Sequence, residues 1–313
     1  LNRHDIEQAA EVFRTRYPHF IRRTPLWKLP GSALGLGVAE VWLKLEHLQT
    51  SGSFKARGML NRLLSHPIPA AGVIVASGGN AGIATAAAAR ELGVPCEVFV
   101  PTVCSPAKQA RLRALGAQVV VTGAVYAEAL EACLARQAQT GALLTHAYDQ
   151  PEVVTGAGTL ACEIEAQGGQ APGTVLVSVG GGGLIAGVAG WFEDRSRVVA
   201  LEPELAPTLF HARAAGAPVD VAVSGVAADS LGAKRIGALA WDLTQRWVPE
   251  AHLLPDAAIR DAQLWLWHHM KLAVEPAAAL PLAALRTGAL RPPAGQPVAL
   301  IVCGANVDPA QLA

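Results

Sequence analysis

Residues 174–192, TVLVSVGGGGLIAGVAGWF, decide how this chain is read. The stretch carries no charge and is about long enough to cross a bilayer, which takes roughly 20 apolar residues in a helix. Its four consecutive glycines, Gly180, Gly181, Gly182 and Gly183, argue against one continuous helix, since each costs about 1 kcal/mol relative to alanine there. A buried strand, a tight turn and a buried helix fit better. Glycine lets the backbone approach a ligand closely. The helix that follows offers free N–H groups and partial positive charge. Together these suit a phosphate; without a ligand the same glycines make a tight turn.

Working outward, the same unit recurs. GVIVAS (72–77) precedes GGNAGIATAAAARELG, CEVFVP (96–101) precedes SPAKQARLRALG, and AQVVVTG (117–123) precedes AVYAEALEACLARQ. SRVVALEP (196–203) precedes ELAPTLFHARAAG, and QPVALIVCG (296–304) reads as the last strand. Apolar strands alternating with alanine-rich helices predict an α/β fold of doubly wound parallel sheets covered on both faces. Such sheets bind ligands at the C-terminal ends of their strands. A second glycine turn, ASGGNAGIAT (76–85), repeats the strand–turn–helix pattern. There Ser77, Gly78, Gly79, Asn80 and Ala81 could present N–H groups to a small carboxylate. Ser77 or Asn80 could equally cap the helix.

Composition narrows the function. With 313 residues, 51% of them hydrophobic, the chain can build two domains with large cores. Twenty-five basic residues balance 25 acidic ones, so no charge excess points to nucleic acid or an anionic membrane. Five scattered cysteines form no C-x-x-C pair, which predicts a reducing, cytoplasmic setting rather than a disulfide framework or zinc site. The N-terminal LNRHDIEQAAEVF has no apolar core of a signal peptide. His268 and His269 sit on a predicted helix and are read as structural. The seven tryptophans are read as core or interface packing.

The remaining feature is Lys55 in LKLEHLQTSGSFKARG (43–58), after a turn of small residues and beside Phe54. A lone lysine is ordinarily a solvated surface charge. Here two anion cradles and a lysine describe a site for a phosphorylated aldehyde. A desolvated lysine has a lowered pKa and becomes a nucleophile for Schiff-base formation. A nicotinamide-dependent dehydrogenase is the rival. Gly181, Gly183 and Ala186 match G-x-G-x-x-A, and Glu202 follows Gly181 by 21 residues, where a dinucleotide fold places its ribose-binding acid. That rival leaves Lys55 unexplained.

At this point the chain resembles the fold-type II pyridoxal-phosphate enzymes, whose architecture is that of the tryptophan synthase β chain, and within them the serine/threonine dehydratases. The resemblance runs in order through RTPL (23–26), the Lys55 segment, SGGNAG, GAGTLACEIEAQ (156–167), VGGGGL, LEP (201–203), AADSLGA (227–233), EPAAA (275–279) and CGANVD (303–308). It implies two open-sheet domains with the cofactor between them: a small domain, 47–147, and a large one, 1–46 with 148–313. Lys55 would hold pyridoxal phosphate and move the substrate's α-proton. Phe54 would lie against the ring, Asn80 would bond its hydroxyl, and Cys303 would face its nitrogen. Gly180, Gly181, Gly182, Gly183 and Leu184 would hold the phosphate. Ser77, Gly78, Gly79, Asn80 and Ala81 would grip the substrate carboxylate. Glu202, Ala206 and Thr208 resemble the family's cation site; the neutral Thr208 suggests potassium or a weak magnesium site, and otherwise Glu202 caps a strand end. A homodimer acting on a small amino acid is the family expectation.

Departures sharpen this. Serine racemases of the family carry a second-face serine where this chain has Gly78, so elimination is expected rather than racemisation. ARG after Phe54-Lys55 follows the dehydratases; sulfhydrylases have aspartate at position 56. SGGNAG is closer to short serine dehydratases than to long threonine deaminases, and the chain ends soon after Asp308, so isoleucine feedback through a C-terminal domain is not expected. The expected reaction is dehydration and deamination of L-serine or L-threonine to a 2-keto acid and ammonia. The alternatives are racemisation, β-replacement, dehydration of a substituted β-hydroxy amino acid such as 3-hydroxyaspartate, and cofactor binding without turnover.

Overall fold

The computed structural model describes residues 2–312, and its strands fall into two sheets. The larger runs, in spatial order, Leu26–Pro30 (β1), Glu40–Lys44 (β2), Val298–Ile301 (β10), Thr174–Ser178 (β7), Arg197–Pro203 (β8) and Glu250–Leu254 (β9). Only the β1–β2 pair is antiparallel. The smaller sheet is fully parallel: Gln118–Val121 (β5), Cys96–Val100 (β4), Val73–Ala76 (β3) and Leu143–Leu144 (β6). The doubly wound α/β expectation holds, and every strand read from the sequence is present. Four were not anticipated. β1 is half-exposed with a lysine and a proline, β2 and β9 begin with glutamate, and β6 is two residues long.

Helices follow the alanine-rich segments. Lys55–Leu64 (α2), Asn80–Leu92 (α3), Pro106–Ala114 (α4) and Tyr126–Thr140 (α5) accompany the smaller sheet. Arg3–Arg16 (α1), Pro151–Gly168 (α6), Gly183–Phe192 (α7), Thr208–Ala215 (α8), Ala238–Trp247 (α9), Asp256–Met270 (α10) and Pro276–Arg286 (α11) belong with the larger. The uncharged 174–192 stretch is a buried strand, a glycine turn and a buried helix. Among the described residues no helix is long and apolar enough to cross a membrane. All five cysteines are free.

α2, which begins at Lys55, is pinned to α6 by absent side chains. A Cβ on Gly58 would lie 2.6 Å from Val153 O, and one on Gly156 would lie 2.4 Å from Arg57 O. α6 meets α7 in the same way, with Gly187 against Gly158. A buried ion network reinforces the joint. Arg57 Nε and Nη2 each donate to Glu46 at 2.8 Å, and its Nη1 and Nη2 donate to Glu163 at 2.8 and 3.0 Å. Lys44 Nζ donates to Glu163 at 2.6 Å. Arg57, Glu46 and Lys44 are fully buried, so each charge depends on its partners.

Candidate active site

The turn before Lys55 is stitched to the chain leaving β10. Phe54 N donates to Cys303 O at 3.0 Å, Ala305 N to Gly52 O at 2.8 Å, and Ser53 pairs with Gly304 as an isolated bridge. Gly52 (φ 77°) and Ser51 (φ 67°) both adopt the left-handed region. For Ser51 this is an uncommon conformation. The stitching brings Lys55 beside Cys303. Lys55 Nζ donates to Ala147 O at 2.5 Å and lies 5.1 Å from the Phe54 ring centroid. Burial lowers the Lys55 pKa to about 8, with Cys303 nearby opposing the shift. The residue keeps some exposure at the mouth of the cleft, but its amine is enclosed. Burial pushes the Cys303 thiol far up, so it stays protonated and neutral.

The four glycines face this lysine across the cleft, which is lined also by Phe54, Asn80, Leu184 and Glu275. The cradle has no room for side chains on its outer wall. A Cβ on Gly181 would sit 2.3 Å from the Tyr148 ring, and one on Gly182 (φ 88°) 2.4 Å from Ala240 Cβ. Gly183 opens α7, and no side chain caps that helix. Its first N–H groups are therefore free for an anion.

The second turn is also an uncapped helix start. Gly79 occupies the N-cap of α3, and no side chain bonds to the first turn. Neither Ser77 nor Asn80 is the cap that the sequence allowed. Ser77 Oγ accepts from Gly79 N at 3.3 Å, and the Asn80 amide turns away to Glu275. The helix N–H groups remain available to a carboxylate. A Cβ on Gly78 would come 2.7 Å from Cys104 Sγ, so a half-buried thiol stands against the place a serine here would use. Lys108 on α4 reaches Asp229 at 3.1 Å, tying the smaller sheet's side of the cleft to the larger one.

Glu202 stands apart from these two turns. Its carboxylate accepts from Leu209 N and Phe210 N at 2.8 Å each and caps α8. Thr208 Oγ1 lies 3.0 Å from Glu202 and 2.6 Å from Gly180 O. Burial raises the Glu202 pKa to about 7. Ala206 is buried just before α8 and accepts from Thr208 N at 3.3 Å. Among the described residues no cluster of three or more His, Cys, Asp or Glu could hold a metal ion. His268 and His269 are exposed on α10, and His269 stacks on Trp265.

Sequence reasoning missed Tyr148, whose ring walls the four-glycine turn, and His146, whose Nδ1 accepts from Asp149 N at 3.0 Å. Burial lowers the His146 pKa. It also missed Glu275 as a cleft residue. Its signal was a single carboxylate in the apolar run AVEPAAALPLAAL.

An enclosed amine, a neutral thiol and a glycine cradle at a helix start together fit pyridoxal phosphate. The comparisons agree. The chain is 36% identical over 308 residues to the L-threonine ammonia-lyase of Geobacter sulfurreducens, covering 97% of this chain and 75% of that one. It is 34% identical to the phenylserine dehydratase of Ralstonia pickettii, covering 97% and 94%. The crystal structure of a threonine deaminase from T.th. superposes with a TM-score of 0.90 at 35% identity, covering 98% and 99%. The family model described as pyridoxal-phosphate dependent enzyme matches residues 18–304. The nicotinamide reading is thereby overturned, and the Glu202 carboxylate it needed is occupied in capping α8. The chain belongs to the pyridoxal-phosphate dependent enzymes of fold-type II.

Proposed function

We propose that this protein eliminates water from L-serine or L-threonine and releases a 2-keto acid and ammonia. The observation that carries the reading is the enclosed Lys55 amine, poised near pH 8 between the glycine cradle and an uncapped helix start. Pyridoxal phosphate, when bound, conjugates the substrate nitrogen to its ring and delocalises the electrons left when the α-proton departs. Lys55, Phe54, the four glycines with Leu184, and Cys303 would hold it. The N–H groups after Ser77, from Gly78 to Ala81, would bind the substrate carboxylate and orient the α-carbon. Lys55 accepts the α-proton, a task suited to an amine whose pKa lies near the working pH. Gly78 offers no proton donor on the other face, which favours elimination over racemisation.

We read residues 47–147 as the small domain and the remainder as the large one, in a cytoplasmic homodimer with neither nucleic-acid nor membrane partners. Sedimentation of the loaded enzyme tests the dimer. A potassium or magnesium ion near Glu202, Ala206 and Thr208 is tested by titrating activity with each salt.

The deciding experiment is keto-acid release by cofactor-loaded protein from L-serine, L-threonine, phenylserine and 3-hydroxyaspartate. Release from serine or threonine supports the proposal. Release only from the bulkier or acidic compounds moves the substrate, and release from none removes dehydration. Lys55→Ala abolishes both turnover and the visible band of bound cofactor; turnover retained without Lys55 would sink the assignment.

A further inference from the structure

Among the described residues Glu275 is the only carboxylate lining the cleft. It stands at the N-cap of α11 and is 4% exposed. Both its oxygens lie 3.0 Å from Asn80 Nδ2, and Oε1 also accepts from Asn306 N at 2.8 Å. Asn306 Nδ2 in turn donates to Asn80 Oδ1 at 2.5 Å and to Ser51 O at 3.0 Å.

This chain of hydrogen bonds has only one direction. Ser51 O is a backbone carbonyl and can only accept, so Asn306 must present its NH2 to that corner. That NH2 fixes the Asn80 oxygen as its acceptor. At the other end Asn306 N can only donate, so Glu275 Oε1 must accept. Asn80 is therefore held with its oxygen toward Asn306 and its NH2 toward Glu275. Asn80 Nδ2 carries two hydrogens, and Glu275 engages one side of it. The other N–H remains for the cleft, which Asn80 also lines. Without an acceptor at position 275 the Asn80 amide loses the partner of its NH2, and only the Asn306 NH2 on its oxygen is left to hold its orientation.

We propose that Glu275 is a positioning residue that fixes Asn80 as a hydrogen-bond donor toward the ring oxygen of the bound cofactor. The inference rests on the cofactor reading of this cleft. A donor at that oxygen favours its ionised form. The cluster draws its members from the Lys55 turn (Ser51), the start of α3 (Asn80), the start of α11 (Glu275) and the chain after β10 (Asn306). It therefore assembles only when both sides of the cleft are together. The other polar and charged groups that bear on Glu275 are Ser230, Arg111 from α4, and Cys303. None of them replaces its bonds to Asn80.

The test is a double-variant cycle read on cofactor binding rather than turnover. Wild type, Glu275→Leu, Asn80→Ala and the pair are prepared as apoprotein, checked by circular dichroism, and titrated with pyridoxal phosphate. The dissociation constant and the pH midpoint of the visible band are recorded. Each single variant is expected to weaken binding about tenfold and to move the midpoint in the same direction. The pair is expected to be no weaker than Asn80→Ala alone, because residues acting through one contact are not additive. Glu275→Gln keeps one oxygen for Asn306 N and Asn80 but sets its NH2 against the Asn80 NH2, so its loss is expected to fall between wild type and Glu275→Leu. Glu275→Asp, which withdraws the carboxylate by one carbon, serves the same cycle if the leucine variant does not fold. Independent, multiplying losses in the pair, or an unmoved midpoint in Glu275→Leu, overturn the inference alone. A wild-type apoprotein that forms no visible band overturns the cofactor reading as well.

Discussion

Lys55 should be a stability liability in the apoprotein. An ordinary lysine titrates at 10.5, and burial brings Lys55 to about 8. Each pKa unit is about 1.4 kcal/mol, so enclosing the ammonium costs up to about 3 kcal/mol at neutral pH. Water in the cleft screens part of that and leaves about 2 kcal/mol. The hydrogen bond to Ala147 O returns about 1 kcal/mol. Lys55→Met, which keeps the length without the charge, should therefore stabilise the apoprotein by about 1 kcal/mol at pH 7. Below pH 8 the amine is charged whether folded or not, and the penalty is complete. Between pH 8 and 10.5 the folded chain has released its proton while the unfolded chain keeps it, so wild-type stability rises with pH relative to the variant. Above 10.5 only the lost hydrogen bond remains and the order reverses. Urea unfolding of both apoproteins at pH 7 and above pH 10 measures this. A variant less stable at pH 7, or a difference independent of pH, would refute the reasoning. The same shift leaves about a tenth of Lys55 neutral at pH 7, against under a thousandth for a free lysine.

Arg57→Ala strands Glu46 and Glu163 without their main cation and should cost about 3–5 kcal/mol in denaturant unfolding; a loss below 1 kcal/mol would show that the network is not a buried unit. Gly181→Ala drives a methyl into the Tyr148 ring, overpacking of a kind that costs about 1–3 kcal/mol. Cofactor affinity should fall about tenfold, measured by spectral titration. Gly78→Ser alone should gain no racemase activity, because its Cβ meets Cys104 Sγ. With Cys104→Ala added, the hydroxyl has room and chiral analysis should detect D-amino acid; none in the pair would count against the second-face argument.

What the sequence made legible was local. Both glycine turns are short, contiguous patterns that announce strand end and helix start, and Lys55 stood out by its neighbours. Cys303 was placed only because a resemblance closed over it. What stayed hidden depends on distant pairing. Asn80 and Glu275 are 195 residues apart, so no window of sequence contains their bond. The helix cap at Ser77 or Asn80 was a sound local reading that tertiary competition defeated. A cap needs the Asn80 side-chain oxygen as acceptor, and that oxygen is taken by the NH2 of Asn306 while the Asn80 NH2 goes to Glu275. Glu202 was ambiguous for the same reason: a strand-end acid can serve a ribose, a cation or a helix start, and the backbone N–H groups it bonds belong to the helix that follows.

The strand order of the larger sheet has a consequence for synthesis. β2 pairs with β10, so residues 41–44 lie beside residues 298–301. The smaller sheet is complete once Leu144 has been made. At about 5–20 residues per second, the ribosome needs a further ~10–30 s to reach β10. Through that interval one edge of β2, with Val41, Trp42 and Leu43 buried in the finished protein, waits without its partner. The nascent chain thus presents an apolar strand edge until β10 has been made, and this is the stage at which chaperone binding or misassembly should concentrate.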